Sequence, residues 1–341
     1  MRFSVGYSTG CSPSFVDEII KRRESIYEVY FSWGNFPSGR NDQTRAAGLT
    51  PWEAQARQIR DVSKIAEAGI GLNLLFNAAC YGERAQSRAL FNEVGDTVDY
   101  LLAYNLKSVT TTSPLIAKFI KQNFKDVELR ASVNMGIGSI LAMEYVAEYF
   151  DSFYVKRELN RQLGALVRLR EWCDGCGKEM YILANSGCLN DCSLHSFHDN
   201  LVAHETGIAG MDNAYAFESS CSKYLSRPDG AHRLLDATSY IRPEDVHLFE
   251  GLVPAMKLAT RVHRSPEAVL RAYIDRARYV GNIADLLEPT HTAAIYPYVV
   301  ENSRITSEMA GGVLSYTNEN QAIIRLEEDY AYQQNDQGSG L

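Results

Sequence analysis

No stretch of this chain approaches the roughly 20 consecutive apolar residues that span a bilayer, and Met1–Gly10 lacks the charged-then-apolar design of a secretory leader. The expectation is a cytoplasmic protein without a membrane span. Positive charge is also short: 34 Lys plus Arg stand against 42 Asp plus Glu, a formal balance of −8. That balance repels a phosphate backbone and disfavours nucleic acid as a partner. Cysteines number 7, an odd count that excludes a fully paired disulfide framework and suits metal, redox or core roles. Internal repeats are absent. What remains is ordinary globular material, 45% hydrophobic and 22% charged, with enough chain at 341 residues for one large barrel or two average domains.

Short apolar runs alternate with helical segments almost from the first residue, the pattern of a parallel sheet with crossover helices. The strand candidates are Phe3–Tyr7, Ile26–Phe31, Leu72–Phe76, Ser108–Thr111, Glu128–Val133, Ser152–Val155, Tyr181–Ala184, Ser239–Ile241 and Ala255–Leu258. They outnumber the eight positions of a barrel by one. Helical stretches lie between them at Pro51–Ala68, Glu83–Tyr104, Pro114–Asn123, Ser139–Tyr149, Glu158–Trp172 and Pro266–Val280, several opened by Ser, Thr or Pro. The fold expected is an α/β, TIM-like (β/α)8 barrel over residues 1–287. A small C-terminal appendage follows at 288–332, with extended runs at Ala294–Val300 and Gln321–Leu326, and then a tail at 333–341. Two long irregular stretches break the rhythm, Trp33–Thr50 and a loop from Asn185 to Thr238, and long loops in compact domains usually carry function.

In such barrels the active site lies at the carboxyl ends of the strands. Polar residues follow the apolar runs there: Tyr7-Ser8, Ser32-Trp33, Asn77, Thr111-Thr112, Asn134, Lys156-Arg157, Asn185, Arg242 and Lys257. A sharper signal is the segment Asn185–Asn200, where Gly187 permits a tight turn and Cys188 and Cys192 follow in a Cys-x3-Cys spacing. Soft thiolates on one loop suit an iron–sulfur cluster, or zinc completed by His195, His198 or His204. Small buried cysteines with surface histidines are the bland alternative.

Several segments together resemble the collagenase-like "peptidase U thirty-two" family: Phe76–Cys80, Arg130–Asn134, Val155–Arg161, Asn185–Cys192 with His198–Asn200, Tyr240–Asp245 and Lys257–Arg261. The resemblance implies a TIM-like barrel. In the better understood branches it also implies a 4Fe-4S cluster supporting oxygen-independent hydroxylation of ubiquinone precursors or RNA, with prephenate as oxygen donor for some. Carried over residue by residue, the ligands are Cys80, Cys188, Cys192 and Cys221. A competing set takes Cys176 with Cys188, Cys192 and a distant Cys11 or Cys80. Cys173-x2-Cys176 precedes the seventh strand, on the face opposite the active site, which disfavours it.

The chain is acidic and lacks the long C-terminal domain of the RNA-modifying members, which points away from RNA. The resulting expectation is an iron–sulfur oxidoreductase, most concretely a hydroxylase, acting on a small organic or carrier-bound substrate. Arg157, Lys257 and Arg261 would bind a substrate or donor carboxylate, Asn134 and Asn185 would add polar contacts, and His198 and Glu205 would be the acid–base pair. Sulfur transfer at an open cluster iron, a zinc peptidase, and a non-catalytic electron-transfer or assembly subunit are the alternatives. A heteromeric partner of the same family, or a homo-oligomer, fits the family's habits.

Overall fold

The computed structural model describes residues 1–40, 48–208 and 219–326, the side chains of 205–208 excepted. Eight parallel strands close a barrel in sequence order: β1 (Arg2–Gly6), β2 (Ile26–Phe31), β3 (Gly71–Phe76), β4 (Leu106–Thr111), β5 (Glu128–Ala131), β6 (Ser152–Tyr154), β7 (Glu179–Leu183) and β8 (Ala255–Leu258). Closure is made where β8 pairs with β1, Ser4 opposite Lys257 and Val5 opposite Leu258. Ser239–Ile241, the surplus strand candidate, is not in the barrel; Ile241 N–H instead donates to Ala184 O at 2.8 Å, just past the end of β7.

Along each strand two faces are buried for different reasons. Phe3, Val5, Val29, Phe31, Leu72, Leu74, Val109, Leu129, Phe153, Ile182, Met256 and Leu258 pack with the surrounding helices in one continuous apolar core. Their neighbours turn into the barrel, and there the filling is polar. Glu28 accepts from Ser4 Oγ at 3.0 Å, Asn73 Nδ2 at 3.0 Å and Ser108 Oγ at 3.1 Å, and it pairs with the fully buried Arg130 guanidinium. Arg130 also bonds Glu128 and lies 3.8 Å from the centre of the Tyr181 ring. A buried charge of this kind is tolerable because carboxylates, hydroxyls and a ring face satisfy it together.

The helices that wrap the barrel are α1 (Pro13–Lys21), α2 (Pro51–Glu67), α3 (Arg88–Leu102), α4 (Pro114–Asn123), α5 (Ile140–Glu144) and α6 (Leu163–Gly175). Their starts are written in the sequence. Thr50 and Glu53 form a reciprocal capping box ahead of α2, with Pro51 at the first helical position, and Ser87, Ser113 and Ser139 cap α3, α4 and α5. Past β7 the chain departs from the simple alternation. It forms α7 (His195–Ile208), α8 (Ser220–Leu225) and α9 (Gly230–Ala237) before reaching β8, and then α10 (Pro266–Asp275).

The remaining chain folds back on the barrel's mouth. It contains α11 (Thr292–Ile295), β9 (Tyr298–Val300), β10 (Thr306–Ala310), β11 (Val313–Thr317), α12 (Glu319–Ala322) and β12 (Ile323–Arg325). The two extended runs anticipated here pair with each other, β9 antiparallel to β12. Between them β10 and β11 form a hairpin turned by Gly311 and Gly312, both at positive φ. That hairpin docks beside α6, where Leu314 N–H donates to Arg161 O at 2.7 Å. The expected tail at 333–341 lies outside the described residues.

Candidate active site

The carboxyl ends of the strands converge on a pocket open to solvent. Tyr30, Leu75, Val133 and Leu183 give it apolar walls, Asn77 and Asn134 give it amide groups, and Arg40, Arg157, Lys257, Arg261 and Glu288 give it charge. Its position follows from the barrel rule, since all of these but Glu288 end β2, β3, β5, β7 and β8 or lie in the segments that follow β2, β3, β5, β6 and β8.

Arg157 sits immediately past β6 with 3% of its surface exposed. Its Nη2 lies 2.9 Å from His195 Nε2, and its Nη1 is buried with no hydrogen-bond partner among the described residues. An unmet donor on a buried cation is costly, and an anion entering the pocket would satisfy it. Arginine can only donate, so His195 Nε2 accepts and the ring is neutral. Asp199 Oδ2 also approaches that nitrogen, at 3.3 Å, but a ring nitrogen that accepts from Arg157 has no proton for it. The neutral form agrees with the direction of His195's pKa, pushed below its ordinary value by burial and then by the Arg157 charge.

Lys257 is the penultimate residue of β8, 7% exposed, with its Nζ 4.1 Å from the centre of the Tyr30 ring and 4.9 Å from that of Tyr154. Ring faces favour the ammonium by about 0.5–2 kcal/mol. Burial and the neighbouring Arg261 charge outweigh that attraction and push the lysine down to about 7, with Glu28 pulling the other way. Arg261 donates from Nη1 to Ser38 Oγ at 2.7 Å. Across the pocket, Arg40 is flanked by Glu288 at 3.5 Å, Asp199 at 3.9 Å and Cys188 Sγ at 3.8 Å, long contacts that act through charge. Burial raises the Glu288 carboxyl even though Arg40 and Arg261 oppose the shift.

Among the residues expected from sequence, Arg157, Lys257, Arg261 and Asn134 line this pocket together. Asn185 does not line it. It is buried as a clip, donating to Ala259 O at 3.2 Å and Leu286 O at 2.8 Å and accepting from Ala259 N–H at 2.7 Å. His198 is exposed on α7 and outside the lining, whereas His195, one turn earlier, reaches Arg157. The Glu205 side chain lies outside the described residues. Arg40 and Glu288 went unnoticed in the sequence, although Arg40 belongs to the long loop at Trp33–Thr50 that its irregularity had marked. Gly187 is required by close approach, since a Cβ there would stand 2.1 Å from Pro289 O.

The thiols are dispersed. Cys188 is beside Arg40, Cys192 is exposed, Cys80 accepts from Gly82 N–H at 3.2 Å, and Cys221 contacts Ser219 Oγ at 3.2 Å on α8. Among the described residues no three His, Cys, Asp or Glu side chains come together in a way that could hold a metal ion. The ligand set Cys80, Cys188, Cys192 and Cys221 is therefore not assembled there. Cys173 is buried in the core of α6, and Cys176 is exposed at its end, so the two are not a surface pair. Cys11 is buried with its thiol 3.7 Å from Arg261 O, and burial pushes its pKa up.

These features define a (β/α)8 barrel with a cationic pocket at the carboxyl ends of its strands. The chain is similar to an uncharacterized protease of Methanocaldococcus jannaschii, 23% identical over 274 residues that cover 79% of this chain and 77% of that protein. Its fold is similar to the structure of the U32 peptidase Mk0906, with a TM-score of 0.52 and 16% identity over 75% of this chain and 91% of that one. No family model matches the chain. No helix among the described residues is long and apolar enough to cross a membrane.

Proposed function

We propose that this chain is an enzyme of the collagenase-like peptidase family that binds a small carboxylate-bearing substrate at the barrel mouth and moves a proton through Lys257. The observation that carries this reading is that Arg157, whose buried Nη1 has no partner among the described residues, lines the same pocket as Lys257 and Arg261. A planar guanidinium orients a carboxylate, and a lysine pushed down to about 7 can both give and take a proton near neutral pH. Calorimetric titration of carboxylates and of their neutral amides, with wild type and with Arg157→Ala, tests the reading. Carboxylates should bind and amides should not, with affinity falling roughly tenfold to a thousandfold in the variant. Equal binding of acid and amide would sink it.

A second reading keeps the iron–sulfur cluster and is favoured by one observation: Cys80 and Cys188 are free and follow β3 and β7 on the mouth side. Since the described residues do not gather the ligands, no step here runs through a cluster. Anaerobic purification with iron, sulfide and zinc analysis tests it. About four irons and four sulfides per chain supports the cluster, and colourless protein with one zinc supports the hydrolase alternative instead.

A further inference from the structure

The reading above leaves one feature of the pocket unexplained. Arg40, Arg157 and Arg261 already supply permanent charge with the fork geometry that suits a carboxylate, so a fourth cation for binding alone would serve best as another arginine. The penultimate residue of β8 is a lysine. Its amine is held between the ring faces of Tyr30 and Tyr154, and no carboxylate among the described residues lies within 4.0 Å of it. The nearest carboxylate in the barrel's interior, Glu28, is occupied by Arg130 and by the hydroxyls of Ser4 and Ser108.

We propose that Lys257 is a nucleophile that forms a Schiff base with the carbonyl carbon of an oxo-carboxylate whose carboxylate is held by Arg157 and Arg261. The proposal rests on the carboxylate-binding reading of the same pocket. Buried lysines beside another cation are those that act as amines at neutral pH, and both conditions are met here. The depressed pKa, about 7, agrees with that geometry.

In the reaction the Nζ lone pair forms a bond to the carbonyl carbon while the C–O π pair moves to oxygen. The two hydrogens of the amine leave with that oxygen as one water, and the carbon–nitrogen double bond remains. A proton from solvent gives the iminium, which can accept the electron pair of an adjacent C–H or C–C bond. Adding water back releases the amine. No electron is gained or lost, so no oxidant or reductant is needed.

The test uses the full chain with pyruvate and 2-oxoglutarate as probes and lactate as a control that lacks the ketone, followed by borohydride and intact-mass measurement. Binding of all three is measured separately by calorimetry. The expected result is a reduced adduct with either oxo acid, mapped to Lys257, absent with lactate, and absent in Lys257→Arg that still binds the probe. Adduct yield should rise with pH through about 7. Binding without an adduct, or an adduct on another lysine, overturns the Schiff base and leaves the pocket reading standing. Failure of the wild type to bind any of the three overturns both.

Discussion

Arg157 and His195, delivered by the segments that follow β6 and β7, meet at 2.9 Å, and the geometry obliges the histidine to be the acceptor. His195 thus acts as a positioning residue. It fixes one edge of the guanidinium, whose Nη1 is buried without a partner among the described residues.

Removing the two partners should have unequal effects. Arg157→Ala is expected to weaken carboxylate binding by roughly tenfold to a thousandfold, and His195→Ala by about tenfold or less, because the second loses one neutral contact. Calorimetry measures both. Lowering the pH in the wild type should mimic His195→Ala as the imidazole charges against Arg157, and the pH dependence of binding should flatten in the variant.

Stability should fall on acidification. His195, His263 and His291 all have pKa values pushed below 6.5, primarily by burial. Each therefore binds its proton more readily in the unfolded chain. Their contribution is complete above the ordinary histidine value and is lost as pH falls through the lower folded values. Urea midpoints measured from pH 8 down to 5 should decline below about 6.5. A flat profile would contradict the neutral assignment.

Charge pairs should sort by depth. Arg130→Ala strands Glu28 inside the barrel and should cost about 3–5 kcal/mol, whereas Arg84→Ala, which removes a half-exposed pair with Glu93, should cost about 1 kcal/mol or less. Denaturant unfolding of the two variants under one set of conditions gives the comparison directly.

Two glycines should separate stability from binding. A Cβ at Gly187 would collide with Pro289 O at 2.1 Å, so Gly187→Ala must move backbone and should destabilise by about 1–3 kcal/mol. A Cβ at Gly39 would meet Asn134 Nδ2 at 2.6 Å, the end of a side chain in the pocket. Gly39→Ala should displace that amide and lower ligand affinity more than the melting temperature. The reverse pattern would mean that Asn134 serves the fold.

The barrel was legible because its strands and caps are local signals. Pro114–Asn123 is a helix as read, and the Thr50 and Ser113 starts stand where their residue types placed them. Ser239–Ile241 misled because a short buried segment hydrogen-bonded past a strand end has the same apolar composition as a strand. The pocket positions of Arg157 and Lys257 were readable from the rule that active sites lie at the strand ends, and that of Arg261 from the family-like segment Lys257–Arg261. Arg40, Glu288 and the choice of His195 over His198 were not, since each depends on how a long segment folds back. No periodicity encodes that return path. Gly187 was noticed for its backbone freedom, but its requirement is a neighbouring carbonyl more than 100 residues downstream in sequence, visible only once Glu288 O accepts from Gly187 N–H at 2.9 Å.

The docking of Glu288 on that loop makes the pocket a joint product of two distant parts of the chain. All eight barrel strands precede Leu287, yet the carboxylate that flanks Arg40 comes one residue after it. A chain ending at Leu287 could keep its hydrogen-bonded cylinder and still leave Arg40 with only Asp199 and Cys188 beside it in the rim. Closing the cylinder therefore needs less of the chain than completing the pocket rim, because Glu288 is made after the last barrel strand.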